Sequence, residues 1–139
     1  MTAKDFLNSY REYAAIEAQK LQAYQRAKDQ VLSVRSSLGH VNEPHRQNRH
    51  TKEDQLIRLQ TRREAWAIAA LNALEVRQDV FSVICDIEGA AGDILYQRYL
   101  CLQTWDNVCS AVDLSLCQVH TIHKSALQIV QERINQRGL

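Results

Sequence analysis

The apolar positions early in the chain recur in an alternating step of three and four. Leu7, Tyr10, Ala14, Glu17, Leu21, Tyr24, Lys28, Val31, Arg35 and Leu38 fall on one stripe, widened by Phe6, Tyr13 and Val34. A second stripe runs through Leu56, Leu59, Arg63, Trp66, Ala70, Ala73, Arg77, Val80, Ile84 and Ile87. This step keeps one face of a helix buried. Charged and small residues interrupt both stripes, and the aliphatic stems of Lys and Arg can cover apolar surface there. The pattern predicts long helices over residues 3–38 and 51–88, each about 36 residues or roughly 54 Å at 1.5 Å per residue.

The breakers agree with that division. Gly39 and Pro44 sit in "LGHVNEPHRQNRH", and Gly89 and Gly92 sit in "EGAAGD". Thr51 followed by Asp54 is a weak capping-box signal for the second helix. Matched lengths and a polar loop predict an antiparallel helical hairpin, residues 1–88. Two helices alone have little core, so the hairpin is expected to pack on the C-terminal unit, on another copy of itself, or on both.

Residues 89–139 show shorter periods. "DILYQRYLCL" reads as a short amphipathic helix burying Ile94, Leu95 and Tyr99, with Leu102 a further candidate. Thr104 is a suitable N-cap for "WDNVCSAV", where Trp105, Val108, Cys109 and Val112 share a face. Asp113 and Leu114 form a turn. Ser115 caps a last helix running to about residue 135, with Leu116, Val119, Ile122, Ala126, Leu127, Ile129 or Val130, and Ile134 on its buried face. Cys117, Gln118, His120, Thr121, His123 and Lys124 are expected on the exposed face.

Composition strengthens the all-α assignment. The 139 residues contain one proline and four glycines, and residues that favour helix are plentiful. Although 45% of residues are hydrophobic, no uncharged run approaches the ~20 residues of a membrane span. "MTAKDFLNSYREY" has no apolar core and is not a secretory signal. The four cysteines form no CxxC pair, so reduced thiols in a cytosol are expected.

Charge changes the picture more. The net +1 is unevenly spread: +2 over residues 1–38, +3 over 39–63, −4 over 64–88 and zero over 89–139. The basic loop region includes Arg46, Arg49, Lys52, Arg58, Arg62 and Arg63, auxiliary candidates for phosphate or partner contacts. The C-terminal unit has no surplus of positive charge, and non-specific DNA affinity scales with the phosphates neutralised.

The helix, turn and helix over residues 104–135 invite a DNA-reading assignment. A helix-turn-helix sets the start of its second helix in the major groove, while phosphate contacts fix its register. Gln118 has the two amide atoms that pair with adenine, and Thr121 suits a thymine methyl or a phosphate. His120, His123 and Lys124 suit phosphates. Cys117, His120 and His123 recur at i, i+3 and i+6, but the outer pair lies well apart around a helix, which disfavours a zinc site. Cys109 with either histidine could be drawn as a nucleophile and base. No oxyanion cradle, glycine-rich phosphate loop or paired-carboxylate cleft accompanies them. The chain reads as a non-enzyme without metal or cofactor.

"ILYQRYLCLQTWDNVCSAVDLSLCQVHTIHKSAL" resembles sigma-factor region 4 and its bacteriophage relatives. These are the ArpU and RinA late-gene regulators and a related uncharacterised phage family. The matching residues are Arg98, Tyr99, Thr104, Trp105, Ser115, Val119, Ile122, His123, Lys124, Ala126 and Leu127. The uncharacterised family also resembles residues 1–88, from the "TAKDFL" start onward. The resemblance implies a phage or prophage transcription regulator in the bacterial cytosol, binding double-stranded promoter DNA, with RNA polymerase as a further partner. It implies that Ser115, Leu116, Gln118, His120, Thr121 and Lys124 face DNA. The chain departs from the pattern at Leu116 and Cys117, where relatives carry Arg or Lys, and at Asp113, where they carry Gly. The regulator is expected to form a homo-oligomer through the hairpin. The neutral C-terminal unit favours a rival reading: an interaction module whose helical arms grip RNA polymerase, a sigma factor or a host defence protein, with a helix-turn-helix that no longer reads DNA.

Overall fold

The computed structural model describes the backbone of residues 1–37 and 47–139 and the side chains of residues 1–33 and 52–139. The described residues form helices and no strands. Helix α1 spans Ala3–Ser37, α2 Gln47–Ile84, α3 Gly89–Leu95, α4 Trp105–Val112 and α5 Leu116–Arg137. A π-helical turn, Tyr96–Leu100, continues α3. Among the described residues, no helix is long and apolar enough to cross a membrane.

Helix α2 begins four residues before Thr51, so the Thr51–Asp54 signal does not mark its start. The side chain of Thr51 lies outside the described residues, as do Gly39, Pro44 and the rest of residues 38–46.

The chain divides into two compact units. One is Ala14–Asn72; the other combines Met1–Tyr13 with Ala73–Leu139. In the first, Tyr24 of α1 stacks on Trp66 of α2, with ring centroids 5.8 Å apart and planes 4° from parallel. Ala27 and Ala69 are buried. Lys28 is exposed although the stripe passes through it. The buried face shifts one residue to Ala27, which leaves the ammonium in water. Leu56 and Arg63 are exposed too.

In the second unit, Phe6 and Leu7 of α1 meet Val80, Val83 and Ile84 of α2. Leu95, Tyr99 and Leu100 join them, with Ala126, Val130 and Ile134 of α5. Each large aliphatic side chain fully buried there contributes about 1.5–3 kcal/mol relative to exposure.

Polar side chains finish the helix ends. Thr2 Oγ1 accepts from Asp5 N at 3.2 Å, and Gln131 Oε1 accepts from Ala3 N at 2.7 Å. At the other end of the problem, the last carbonyls of α2 have no partner within their own helix. Arg133 Nη1 donates to Val83 O at 2.8 Å, and Arg137 donates to Ser82 O at 3.1 Å and Ser82 Oγ at 3.0 Å. Cations here also complement the negative end of the helix dipole.

Helix α3 starts at Gly89 itself, within the glycine pair of the junction. Gly92 is required by close approach: an added Cβ would lie 1.9 Å from the Ile87 carbonyl oxygen. Tyr99 is buried as the periodicity predicts, but its companion is Leu100 rather than Leu102. The wider π turn re-aims the face by about one residue, and Leu102 leaves it in a left-handed conformation, φ 55°.

Candidate nucleic-acid interface

Helix α4 is started by Thr104, whose Oγ1 accepts from Asn107 N at 3.3 Å. Val108 is fully buried against Ile94 and Val119, and Trp105, Cys109, Val112, Leu114 and Ile122 pack around them. The expected face of α4 is therefore the packed one. The helix ends at Asp113, whose backbone is left-handed at φ 56° and ψ 45°. Asp and Asn visit this region more readily than other non-glycine residues, so the turn forms without glycine.

Two residues later Ser115 opens α5 with a reciprocal cap. Its Oγ accepts from Gln118 N at 3.3 Å, and Gln118 Oε1 accepts from Ser115 N at 3.1 Å. This arrangement satisfies two donors that a helix start leaves orphaned. Val119, Ala126, Val130 and Ile134 then point into the core.

The DNA-facing candidates are distributed as follows along α5. Ser115, Leu116, Gln118, His120, Thr121 and Lys124 are all exposed. Leu116, expected on the buried face as well, keeps 48% of its surface in solvent. Thr121 Oγ1 donates to Cys117 O at 2.9 Å, which spends the hydroxyl proton within the helix. Gln118 is doubly employed: bidentate pairing with adenine needs Oε1, which the cap already uses. His120 lies 4.8 Å from the Trp105 ring centroid, tilted by 55°.

His123 does not belong to the exposed face. It is buried at 8% exposure, and its Nε2 lies 2.7 Å from the Tyr99 hydroxyl. The imidazole tautomer decides which of the two donates. Burial disfavours the charged ring, and His120, Lys4 and Arg98 nearby push the same way, taking its pKa from 6.5 down to about 4. At neutral pH it is an uncharged core residue and not a phosphate contact. The period of the core accounts for this: His123 follows Val119 by four residues and Val130 follows it by seven.

Sequence reasoning missed the charges that surround it. Arg98 holds its guanidinium 4.6 Å over the Trp105 ring and donates to Gln103 O at 2.9 Å. Burial lowers the Arg98 pKa, and the charge of Arg11 lowers it further. Lys4 and Arg11 thus reach this neighbourhood from α1, more than eighty residues away in the chain. Nothing in the periodicity of residues 89–139 signals them. The compact unit as a whole is nevertheless acidic, with seven Lys/Arg against ten Asp/Glu, whereas residues 14–72 carry ten against six.

The auxiliary basic candidates fall elsewhere. Arg46 lies outside the described residues, and Arg49 has its backbone in α2 but an undescribed side chain. Lys52, Arg58, Arg62 and Arg63 are exposed on α2. They belong to the other compact unit from the α5 candidates.

Beside the start of α5 lies an open, mainly apolar hollow of about 300 Å³, lined by Leu114, Cys117, Gln118, Thr121 and Ile122. Among the described residues, no group of three or more His, Cys, Asp or Glu side chains converges as a metal site would require. The four cysteines are free thiols, with Cys85 and Cys117 exposed. The chain matches no protein-family model, no curated protein and no solved structure.

Proposed function

We propose that the protein regulates transcription by binding double-stranded DNA through a helix-turn-helix of the sigma-region-4 type, in a phage or prophage. The observation that carries this reading is the α4–α5 junction. A left-handed Asp113 and the Ser115–Gln118 cap fix the turn, Val119 locks the second helix, and Gln118, Thr121 and Lys124 remain exposed at its start. In this reading α5 enters the major groove, Lys124 and His120 meet phosphates, and Arg98 with Arg11 adds positive charge. The chemistry is recognition, without catalysis, metal or cofactor.

The long helices would form an antiparallel hairpin that pairs with a second copy. Ile57, Ile68 and Leu71 of α2 each leave more than half their surface exposed, on a face other than the Trp66 face. Residues 52–63 of α2 carry a net positive charge and residues 64–88 a net negative one, so two antiparallel copies would be complementary. A dimer also doubles the phosphate contacts, which a unit poor in positive charge needs.

A second reading is supported by the apolar hollow. Leu116 and Cys117 stand where relatives in the resembled family carry Arg or Lys, and Cys117 lines the hollow together with Leu114 and Ile122. On that reading the same face docks a protein partner, such as RNA polymerase or a sigma factor. Selection from a pool of random duplexes separates the two. Enrichment of a common sequence supports the DNA reader; no enrichment supports the protein-docking reading.

A further inference from the structure

Within the compact unit Ala14–Asn72, a cleft of about 170 Å³ is lined by Ala23, Arg26, Ala27, Gln30, Arg58 and Arg62. Two spacings build it. Arg26 and Gln30 are four residues apart on α1, and Arg58 and Arg62 are four apart on α2, so each helix presents a pair on one face. Ala23 and Ala27 share the same spacing. Their methyl groups leave the space that larger side chains would fill, and Ala27 is 5% exposed.

Three arginines thus line one small cleft, and no acidic side chain lines it. Among the described residues, no carboxylate forms an ion pair with Arg26, Arg58 or Arg62. Like charges gathered without a counter-charge repel, and an anion relieves that repulsion. Guanidinium forks suit the planar pairs of oxygens on a phosphate better than an ammonium does. Gln30 adds an amide donor.

Size narrows the ligand. Drug-sized molecules occupy pockets of about 300–1,000 Å³, larger than this cleft. At roughly 30 Å³ per water, the cleft holds about five or six waters, room for one tetrahedral oxyanion with part of its hydration shell.

We propose that Arg26, Arg58, Arg62 and Gln30 form a site for a single phosphate group, carried either by a nucleic-acid backbone or by free inorganic phosphate. The site is independent of the helix-turn-helix assignment, because it uses different residues in a different compact unit. Sequence-selective binding can fail while this site stands.

The test uses the full chain with nitrogen-15 in its arginines. Inorganic phosphate is titrated at constant ionic strength against a chloride control, and the arginine Nε–H resonances are followed. A saturable shift of the Arg26, Arg58 and Arg62 signals, weakened roughly five- to tenfold in Arg62→Gln, supports the site. A duplex of arbitrary sequence is titrated in parallel. If Arg58→Gln/Arg62→Gln weakens the duplex and flattens its logarithmic salt dependence by about 0.9 for each lost contact, the phosphate is that of the backbone. If phosphate shifts the three signals but the duplex is bound equally by the variant, the ligand is the free ion. Exposed Arg→Gln changes keep the helix, which circular dichroism checks. Unsaturable shifts, or equal shifts at arginines outside the cleft, with a duplex affinity unchanged by the variant, overturn the proposal.

Discussion

The hydroxyl of Tyr99 sits 2.7 Å from Nε2 of His123, inside the unit that carries the α4–α5 junction. The rings are 5.8 Å apart and within 21° of parallel. This contact ties the π turn to α5 directly. Tyr99→Phe leaves a buried imidazole nitrogen without a partner. The variant is expected to lose about 1–2 kcal/mol of stability at pH 7, measured by urea unfolding.

The same histidine sets a pH dependence. Its folded pKa of about 4 lies below the ordinary 6.5, so between these values the unfolded chain binds more protons. The contribution is complete above pH 6.5 and is lost as pH falls toward 4. The loss approaches about 3 kcal/mol at the lower limit. Unfolding midpoints measured between pH 7 and 4.5 should fall in the native chain. His123→Gln, though less stable at pH 7, should show a flatter slope. Equal slopes in the two proteins would contradict the assignment.

Gly92→Ala drives a Cβ into the backbone carbonyl of Ile87, which has no flexible side chain to yield. The expected loss is about 2 kcal/mol or more, read from the thermal midpoint. Gly89→Ala is strained by a different route, its φ of 78°. The contrast is visible in a double variant, whose losses should not simply add across so short a turn.

The turn before α5 gives a prediction with two signs. Asp113→Gly removes the cost of a side chain in the left-handed region and should stabilise by up to about 1 kcal/mol, whereas Asp113→Val should destabilise by about 1–2 kcal/mol. Ser115→Ala removes the cap and should cost about 1 kcal/mol. Chemical unfolding of the three variants checks all of these.

Several of these features were legible in the sequence, and the reasons differ. Thr104 and Ser115 were readable as caps because N-capping is local: an oxygen acceptor, the right spacing and a following apolar period suffice. Val108 and Val119 followed from the 3.6-residue period. Asp113 was readable as a turn residue for the same local reason. His123 falls on the period of Val119 and Val130 but was misplaced because a histidine is equally at home on either face; the approach of Tyr99 through the π turn supplies the partner its ring nitrogen needs there. The π turn itself has no periodic signature in "YQRYL". Thr51 failed as a helix start because a capping signal inside a favourable helical run does not stop the helix. Lys4 and Arg11 reached the α5 neighbourhood through tertiary packing, and Arg133 and Arg137 were drawn to the end of α2. A charge count by segment sees neither.

Fluorescence anisotropy decides whether α5 reads DNA, as proposed. Labelled promoter fragments from the encoding genome are titrated with the full chain at two salt concentrations. The expected result is saturable binding that prefers some fragments, weakens as salt rises, and is lost in Thr121→Ala/Lys124→Ala while the fold is retained. No binding at tens of micromolar protein in low salt, or binding indifferent to fragment and to the double variant, would contradict it.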